Sequence, residues 1–341
     1  MKIITVKYGA SPSLKIILFN SKTYDKTYFE NANSAYQYDI FYQEAPLTAS
    51  TAKLAKGFEV VCAFVNDSLD AATIKELADE GGRLIALRCA GFNHVDLGAC
   101  QKYNLTVVRV PAYSPYAVAE HTMALILALN RKIHKAYHRV REANFSLEGL
   151  LGFDMHGTSV GVIGLGKIGL CFVKIAVGFG CDIKVYDPFI KENPIPDKIK
   201  LVDLETLCKD SKIISMHCPL TKNTQHIINK KTLEFMQDGV MLINTGRGAL
   251  VDTQAVINGL KSGKVGALGL DVYEEEKKLF FEDQSEKILQ DDIFARLLTF
   301  PNVIITGHQG FFTENALDNI AKTTLANIKA FVQGKPVNLV S

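Results

Sequence analysis

The stretch Ser159-Val-Gly-Val-Ile-Gly164-Leu-Gly166-Lys-Ile-Gly169 decides the fold of this 341-residue chain. An apolar strand runs into a G-x-G-x-x-G turn, a helical pattern follows, and a second apolar strand closes the unit. Gly164 would make the tight turn, Gly166 would let the backbone approach a diphosphate, and Gly169 would allow close helix–strand packing. The diphosphate would then lie on the free N–H groups at the helix N-terminus.

The second strand ends in an acid, Asp187, about 20 residues beyond the first glycine. In a dinucleotide-binding unit this carboxylate accepts hydrogen bonds from the ribose hydroxyls and repels a 2′-phosphate. No Arg follows it closely, and Lys191 is the first cation after it. A lone G-x-G-x-x-G also occurs in ordinary Gly-rich turns, but here strand, helix, second strand and acid occur together. The segment therefore predicts a site for NAD rather than NADP.

The rest of the chain alternates short apolar runs with helical patterns, which is typical of α/β folds with doubly wound parallel sheets. Its length exceeds one ordinary core and fits two domains. We expect buried parallel strands at Lys15–Phe19, Val60–Phe64, Leu84–Leu87, Val107–Val110, Val160–Ile163, Ile183–Tyr186, Ile213–Met216, Val240–Ile243 and Val303–Thr306.

Two helical patterns suggest how the chain passes between its domains. Ser114 and Pro115 form an N-cap and first helical position, and one long helix is expected over 115–142. Its first half is apolar all round, which is typical of a helix buried between layers, and its second half is basic. A C-terminal helix over Asn315–Val332 would return to the first domain. Ligands would bind in the cleft between the domains, at the carboxyl ends of strands.

The composition and net charge of the chain indicate which classes of partner and compartment are expected. Hydrophobic residues make up 48% and charged residues 22%, and the net charge of +2 favours neither nucleic acid nor an anionic membrane as a partner. The seven cysteines include no C-x-x-C pair, which favours buried thiols in a reducing compartment over disulfides or a metal site. Lys2, Lys7 and Lys15 interrupt the N-terminus, so a signal peptide is not expected. We therefore expect a cytoplasmic protein.

Groups that could reduce a 2-keto acid follow three predicted strands of the cofactor domain. Arg247 could hold a carboxylate with its planar fork, and His308 could give a proton to the carbonyl oxygen. Asp271 and the run 274–276 of three glutamates could supply the carboxylate that stabilises an imidazolium. From spacing alone, Arg247 could equally be a surface turn cation and His308 a satisfied polar residue.

The other histidines are weaker candidates. His217 belongs to His217-Cys-Pro219 at another strand end, where it would line the cofactor rather than exchange protons. The remaining six have no carboxylate or metal spacing around them in the sequence: His94, His121, His134, His138, His156 and His226.

Seven motifs together resemble one family, the D-specific 2-hydroxyacid dehydrogenases, and within it the NAD-dependent fermentative D-lactate dehydrogenases. The similarity covers essentially the whole chain. The motifs are Arg88-Cys-Ala-Gly-Phe-Asn-His-Val-Asp96, Val110-Pro-Ala-Tyr-Ser-Pro115, Gly164-Leu-Gly-Lys-Ile-Gly169, His217-Cys-Pro-Leu-Thr221, Asn244-Thr-Gly-Arg-Gly248, Leu270-Asp-Val-Tyr-Glu-Glu-Glu276 and Gly307-His-Gln-Gly-Phe-Phe-Thr313.

The resemblance implies a role for each matching position. Arg247 would bind the carboxylate of pyruvate, His308 would be the proton donor in its reduction to D-lactate, and Glu276 would pair with His308. Substrate contacts would come from the backbone at Ala90 and Gly91, from Tyr113 and from Phe311. Cofactor contacts are implied for Gly164, Gly166, Lys167, Ile168, Gly169, Asp187, His217, Cys218, Pro219, Thr224, Thr245, Gly246 and Asp271.

The resemblance also implies an organisation and leaves alternatives. Two Rossmann-like domains are expected: a discontinuous catalytic domain, 1–112 with 310–341, and an NAD-binding domain, 113–309. The segment 144–149 resembles the family's exchanged arm, so a homodimer or homotetramer is expected. A related enzyme for a larger 2-keto acid, and an NAD-sensing binding protein resembling corepressors of this fold, are the alternatives.

Overall fold

We describe the protein from a computed structural model, in which residues 14–190, 192, 194, 197–276 and 279–340 are described. Its contacts divide the chain into two compact units. Unit 1 comprises the described residues of 1–114 and 313–341, and unit 2 those of 115–312. Lys191, the first cation that follows Asp187 in sequence, and the lysines at positions 2 and 7 lie outside the described residues.

Unit 1 is a five-stranded parallel sheet in the order β2-β1-β3-β4-β5. The residues of β3 and β4 are all buried, because helices cover both faces of a parallel sheet. The strands are β1 (Lys15–Leu18), β2 (Asp39–Tyr42), β3 (Val60–Ala63), β4 (Leu84–Leu87) and β5 (Thr106–Val108). The helices are α1 (Thr23–Asn33), α2 (Ala71–Asp79), α3 (Leu97–Lys102) and, from the C-terminal segment, α11 (Glu314–Val332).

Unit 2 is a seven-stranded parallel sheet in the order β12-β11-β10-β9-β6-β7-β8. The strands are β6 (Ser159–Ile163), β7 (Asp182–Tyr186), β8 (Ile199–Leu201), β9 (Ile213–Met216), β10 (Val240–Asn244), β11 (Val265–Leu270) and β12 (Val303–Ile305). The helices are α4 (Pro115–Arg131), α5 (Ile133–Arg141), α6 (Lys167–Gly178), α7 (Leu204–Asp210), α8 (Lys230–Phe235), α9 (Thr253–Ser262) and α10 (Asp292–Leu298).

Two apolar cores in unit 2 lie on opposite faces of its sheet. One joins α4 and α6 to the sheet, and the other joins α7, α8, α9 and α10 to it. Strand order reverses where β9 and β7 flank β6, and in such sheets ligands bind at the carboxyl ends of the strands around this point. The fold therefore directs attention to the residues that follow β6, β9, β10, β11 and β12.

The α/β fold with two parallel sheets is confirmed, and so are all nine predicted strands. The remaining three strands are β11, expected from the position of Asp271 at a strand end, and the two that were missed, β2 and β8, which both lie at a sheet edge where side chains are partly exposed. Such strands lack the continuous apolar run by which buried parallel strands are recognised. Among the described residues, no helix is both long and apolar enough to span a membrane.

The expectation of one long helix over 115–142 is wrong at Lys132. This residue adopts a left-handed conformation with φ of 50°, which ends α4 and starts α5 in a new direction. The break is held from outside the helix, because the Asn130 amide exchanges two hydrogen bonds with the Phe153 backbone and Lys132 Nζ donates to Leu151 O. Tertiary contacts thus override a continuous helical pattern.

Candidate functional site

The Gly-rich turn between β6 and α6 is built so tightly that two of its glycines, Gly164 and Gly169, leave no room for a side chain. Gly164 has φ of 93°, and a Cβ there would lie 2.6 Å from the Cys218 backbone N. A Cβ on Gly169 would lie 2.2 Å from Gly164 O, so helix and turn touch backbone to backbone. Around Gly166, by contrast, a Cβ would meet nothing within 4 Å. The open side of the turn is therefore at Gly166, where a ligand can approach.

The N-terminus of α6 starts at this open side. Gly166 is its N-cap, and no side chain caps the helix. The first backbone N–H groups of a helix have no partner inside it, and their dipoles favour an anion. Lys167 and Ile168 open this first turn and add the Lys167 cation. The turn and the helix end together fit a diphosphate group.

Asp187 lies at the end of β7 and is tied to the same turn. Its Oδ2 accepts from Leu165 N at 2.8 Å, and its Oδ1 accepts from Phe189 N at 3.0 Å. A carboxylate can accept about four hydrogen bonds, so both oxygens retain capacity for ribose hydroxyls. The carboxylate therefore also orders the Gly-rich turn, a second task that the sequence pattern did not reveal.

The turn after β9 faces this loop through Cys218. Behind it, His217 Nε2 lies 2.9 Å from Ser215 Oγ, and its ring packs on Phe172 with centroids 5.0 Å apart. Burial lowers the pKa of His217 to about 3, so its imidazole is neutral at physiological pH and cannot serve as a proton donor there. Thr224 Oγ1 donates to Pro219 O at 2.6 Å and closes the turn.

After β10, the chain turns sharply at Thr245 to Gly248 and presents Arg247. Asn244 at the strand end accepts from Gly246 N at 3.0 Å and donates to Arg247 O at 2.8 Å. A Cβ on Gly248 would lie 2.1 Å from the Tyr273 carbonyl carbon, so this turn packs directly on the segment that follows β11. Thr245 Oγ1 is 2.8 Å from the Thr122 hydroxyl of α4.

The Arg247 side chain is half-buried and makes one hydrogen bond to the described part of the chain, from Nη1 to Gly246 O at 2.7 Å. A guanidinium has five N–H donors in a planar fork. Most of the donor capacity of Arg247 is therefore available to a ligand. A carboxylate matches this fork better than a single-point acceptor does.

Asp271 follows β11 and is only 1% exposed. Its Oδ1 accepts from Thr306 Oγ1 at 2.6 Å and from Gln309 N at 2.8 Å, and its Oδ2 accepts from Gly310 N at 2.8 Å. Burial alone would raise the pKa of this carboxyl, but hydrogen bonds from His121, Thr306 and Gly310 N together lower it. The ionised side chain therefore holds the loop after β12 in shape.

His308 lies on that loop and is paired with Glu276. His308 Nδ1 is 2.8 Å from Glu276 Oε1, and Glu276 Oε2 accepts from Tyr273 N at 3.0 Å. The histidine backbone is left-handed, with φ of 54°, and its N–H donates to Asp271 O at 2.7 Å. Within the described residues Nε2 has no hydrogen-bonding partner. The imidazole is thus oriented by a carboxylate at one nitrogen and free at the other, as proton transfer requires.

The three consecutive glutamates differ in their surroundings. Glu274 accepts from Thr253 Oγ1 at 2.6 Å and lies 2.6 Å from His226 Nε2, so it fastens α9 to this segment. Glu276 faces His308. Spacing alone could not choose among the three, because the choice depends on a turn that directs neighbouring side chains to different partners.

Two histidines were misjudged from the sequence, which offered no carboxylate near them. His226 pairs with Glu274, and His121 of α4 lies 2.9 Å from Thr306 Oγ1 and 3.3 Å from Asp271 Oδ1. The expectation that these two histidines lack carboxylate partners is therefore wrong. The pairs are distant in sequence, and no local spacing signals them.

Unit 1 carries three of the predicted substrate contacts, Ala90, Gly91 and Tyr113. Ala90 and Gly91 lie in the loop after β4. The backbone carbonyls of Cys89, Ala90 and Gly91 each accept a hydrogen bond. Val110 N donates to Cys89 O, Arg109 Nη1 to Ala90 O, and Cys89 Sγ to Gly91 O. In contrast, the backbone N–H groups of Ala90, Gly91 and Phe92 have no acceptor among the described residues. Half-buried N–H groups without a partner are uncommon and fit an anionic ligand.

Tyr113 and Phe311 are the other predicted substrate contacts. Tyr113 is partly exposed near the end of the first segment of unit 1, and its carbonyl accepts from Asn319 Nδ2 at 2.8 Å. Phe311 belongs to unit 2 and is 7% exposed, with its ring edge-on to Phe312 at 5.9 Å. The structure thus gives Phe311 the character of a buried apolar side chain beside the exposed Phe312.

Comparisons with known proteins agree with this geometry. The model of the D-isomer specific 2-hydroxyacid dehydrogenase NAD-binding domain matches residues 123–310. A 2-hydroxyacid dehydrogenase homologue of Haemophilus influenzae is 52% identical over 94% of this chain and 97% of its own. The D-lactate dehydrogenase of Escherichia coli is 48% identical over 94% of this chain and 98% of its own.

A solved structure gives the same result for the fold. The pyruvate reductase of Chlamydomonas reinhardtii superimposes with a TM-score of 0.89 at 45% identity, covering 95% of this chain and 98% of that chain. The resemblance inferred from the seven motifs is therefore confirmed, and so is NAD as the cofactor. This chain belongs to the D-isomer specific 2-hydroxyacid dehydrogenase family and is an NAD-dependent oxidoreductase.

Proposed function

We propose that this protein is a D-lactate dehydrogenase that reduces pyruvate to D-lactate with NADH. The observation that carries the proposal is the pair of His308 Nδ1 and Glu276 Oε1 at 2.8 Å, with no partner for His308 Nε2 in the described part of the chain, on a loop that the buried Asp271 shapes. Relatives and structural neighbours that are D-lactate dehydrogenases or a pyruvate reductase support it at 45–48% identity.

NADH supplies the hydride that reaches the carbonyl carbon of the substrate. The turn at Gly164 to Gly169, the start of α6 and Asp187 would hold the dinucleotide, because they combine an open Gly166, free helix N–H groups and a carboxylate. The turn of Cys218, Pro219 and Thr224 borders the same loop and would contribute further contacts.

The chain's own acid–base group is His308. In reduction its Nε2 would give a proton to the carbonyl oxygen as negative charge develops there, and in lactate oxidation the same nitrogen would take the proton back. Glu276 would stabilise the imidazolium through Nδ1 and fix which nitrogen faces the substrate. General acid–base catalysis of this kind contributes roughly 10²–10⁴-fold to the rate.

Each unit offers donors that suit a substrate carboxylate. Arg247 has most of its guanidinium donors available and would also polarise the carbonyl. In unit 1, the N–H groups of Ala90 and Gly91 would donate to the same kind of anion. Tyr113 is proposed as a substrate contact of unit 1, and Phe311 as one of unit 2. On this proposal unit 1 is the catalytic domain and unit 2 the NAD-binding domain.

The test is the specificity of the purified protein for 2-keto acids of increasing size with NADH. Pyruvate should give the highest kcat/KM, with 2-ketobutyrate lower and 2-ketoisocaproate lower still. A protein that prefers a branched 2-keto acid would be a relative with another substrate. Absence of NADH oxidation with every 2-keto acid would refute the enzyme assignment and favour an NAD-sensing role.

We further propose a homodimer as the smallest assembly, formed through α5 and the arm that follows it. The side chains of Phe145, Leu147 and Leu151 are 73%, 82% and 87% exposed. Exposing several large apolar side chains to water in one segment is unfavourable and is typical of a surface that binds another protein. Arg139 Nη1 donates to Glu148 O at 2.6 Å and holds the arm against α5. Light scattering should give at least twice the chain mass for the wild type and a smaller particle for Leu147→Glu.

A reducing compartment such as the cytoplasm is also proposed. None of the seven cysteines, all of which lie within the described residues, forms a disulfide, and several are buried, where they pack as small hydrophobic groups. Fluorescence microscopy of a tagged chain would test it, and a secreted protein would contradict it.

A further inference from the structure

We infer that Arg109 is a positioning residue for the substrate carboxylate, because its guanidinium fixes the peptide group that joins Ala90 to Gly91. The inference rests on the proposed function, in which the N–H groups of this loop bind the carboxylate. No other part of the proposed machinery uses Arg109. Arg109 lies just beyond β5, and β5 is the neighbour of β4, the strand that precedes the loop of Ala90 and Gly91.

The contact with the loop is short and directional. Arg109 Nη1 donates to Ala90 O at 2.7 Å, a distance typical of charge-assisted hydrogen bonds. The guanidinium carbon also lies 5.1 Å from the centre of the Phe92 ring, so the cation covers the loop on both sides of Gly91. The side chain is partly buried, which weakens competition from water.

Arg109 is itself anchored at its backbone. Its N–H donates to Asn338 O at 3.1 Å, and its carbonyl accepts from Asn327 Nδ2 at 2.8 Å. Asn327 is 1% exposed on α11, and it also accepts from Asn338 Nδ2. The backbone of Arg109 is thus held by the C-terminal helix and the segment after it, and its guanidinium extends from this anchored position to the loop.

Peptide geometry converts this contact into substrate binding. The peptide group is planar and trans, so its carbonyl and its N–H point in opposite directions. With Ala90 O held on Arg109, the Gly91 N–H must face away from it, and it has no acceptor among the described residues. A positive charge on the carbonyl also polarises the peptide and strengthens the N–H as a donor. Arg109 would therefore set both the direction and the strength of the Gly91 donor.

Arg88, the other arginine next to this loop, has a different task. It is 1% exposed and bonds Asp25 at 3.0 Å and the carbonyls of Phe19 and Asn20 at 2.7 and 3.0 Å. These contacts join the ends of β1 and β4 and belong to the core of unit 1. Arg88 makes no hydrogen bond to a carbonyl of the loop itself, so the described residues give that role to Arg109.

The test compares Arg109→Met with Arg83→Met in the full-length enzyme. Arg83 is an exposed arginine of the same unit that pairs with Glu59 at 3.7 Å, so its loss should leave catalysis unchanged. Arg109→Met should raise KM for pyruvate roughly 10- to 100-fold, the value of one charge-assisted hydrogen bond, with a much smaller change in kcat. The affinity for NADH should stay unchanged.

Two further readouts separate positioning from a merely structural effect. The loss should be the same factor for pyruvate and 2-ketobutyrate, because both share the carboxylate, and oxamate should inhibit more weakly by a similar factor. Guanidinium ion at low millimolar concentration should restore part of the pyruvate affinity of Arg109→Met. If that variant does not fold, Arg109→Lys takes its place and should raise KM about threefold, since it keeps the charge without the planar fork.

Two results would overturn the inference: an unchanged KM for pyruvate in an active, folded variant, or a fall in kcat without a rise in KM. A wild-type protein that reduces no 2-keto acid would instead refute the proposed function. The two failures are therefore distinguishable.

Discussion

Replacing Asp271 by Asn tests whether this buried carboxylate organises the catalytic loop. The substitution keeps the shape of the side chain but removes its charge and turns one acceptor oxygen into a donor. In the wild type, Oδ1 accepts from Thr306 and from Gln309 N, and Oδ2 accepts from Gly310 N. Whichever way the amide lies, its NH₂ must face at least one of these backbone N–H groups.

The expected cost follows from these contacts. A buried N–H group left without an acceptor costs about 1–3 kcal/mol, and the remaining bonds lose charge assistance worth about 1 kcal/mol each. We therefore expect Asp271→Asn to lower the free energy of unfolding by roughly 2–5 kcal/mol. Because the Asp271 carboxylate holds Gln309 N and Gly310 N, which directly follow His308 on the loop after β12, we also expect kcat to fall by roughly 10- to 100-fold.

The measurement is denaturant unfolding followed by circular dichroism, together with steady-state kinetics. Asp238→Asn is the matched control, since its carboxylate is 89% exposed and pairs with Lys264 on the surface of the same unit. Because the pKa of Asp271 is lowered in the fold, its carboxylate stabilises the protein fully at pH values above about 4, the pKa of an unfolded Asp. The difference in unfolding free energy between variant and wild type should therefore shrink as the pH falls below that value. An unfolding free energy within 0.5 kcal/mol of wild type, about the usual scatter for surface substitutions, would refute the reasoning.

Three further predictions concern the cofactor and acid–base residues. His308→Gln should lower turnover by roughly 10²–10⁴-fold and leave NADH affinity nearly intact, and unchanged turnover would contradict the proton-donor role. Asp187→Ser should improve the use of NADPH relative to NADH, measured as the ratio of kcat/KM values, but should also weaken NADH binding because Leu165 N loses its acceptor. His217 is neutral in the fold, with a pKa of about 3, but takes up a proton when unfolded below about pH 6.5. Stability should therefore fall on acidification, by up to about 2 kcal/mol from pH 7 to pH 5, and His217→Gln should lose less; equal losses would argue against this.

Much of the fold could be predicted from the sequence because buried parallel strands are continuous runs of apolar residues. The nine predicted strands all carry such runs, whereas β2 and β8 at the sheet edges do not. The break at Lys132 escaped prediction because a distant segment around Phe153 holds it, and no helix-breaking residue stands there.

For the candidate site, the sequence placed Arg247 and His308 at strand ends, which is where the structure has them. The pairing of His308 with Glu276, rather than with a neighbouring glutamate, depends on the turn after β11 and needed the family resemblance. The contact of His121 with Thr306 joins residues that are far apart in the sequence. Arg109, which contacts Ala90, belongs to none of the seven motifs. Such pairs follow from topology, which spacing in one sequence does not encode.

The most direct test of the proposed function is the identity and chirality of the product formed from pyruvate and NADH. We expect one equivalent of lactate for each NADH oxidised, all of it the D-enantiomer on chiral chromatography. L-lactate, a racemic mixture, or no lactate at all would contradict the proposal that this protein is a D-lactate dehydrogenase.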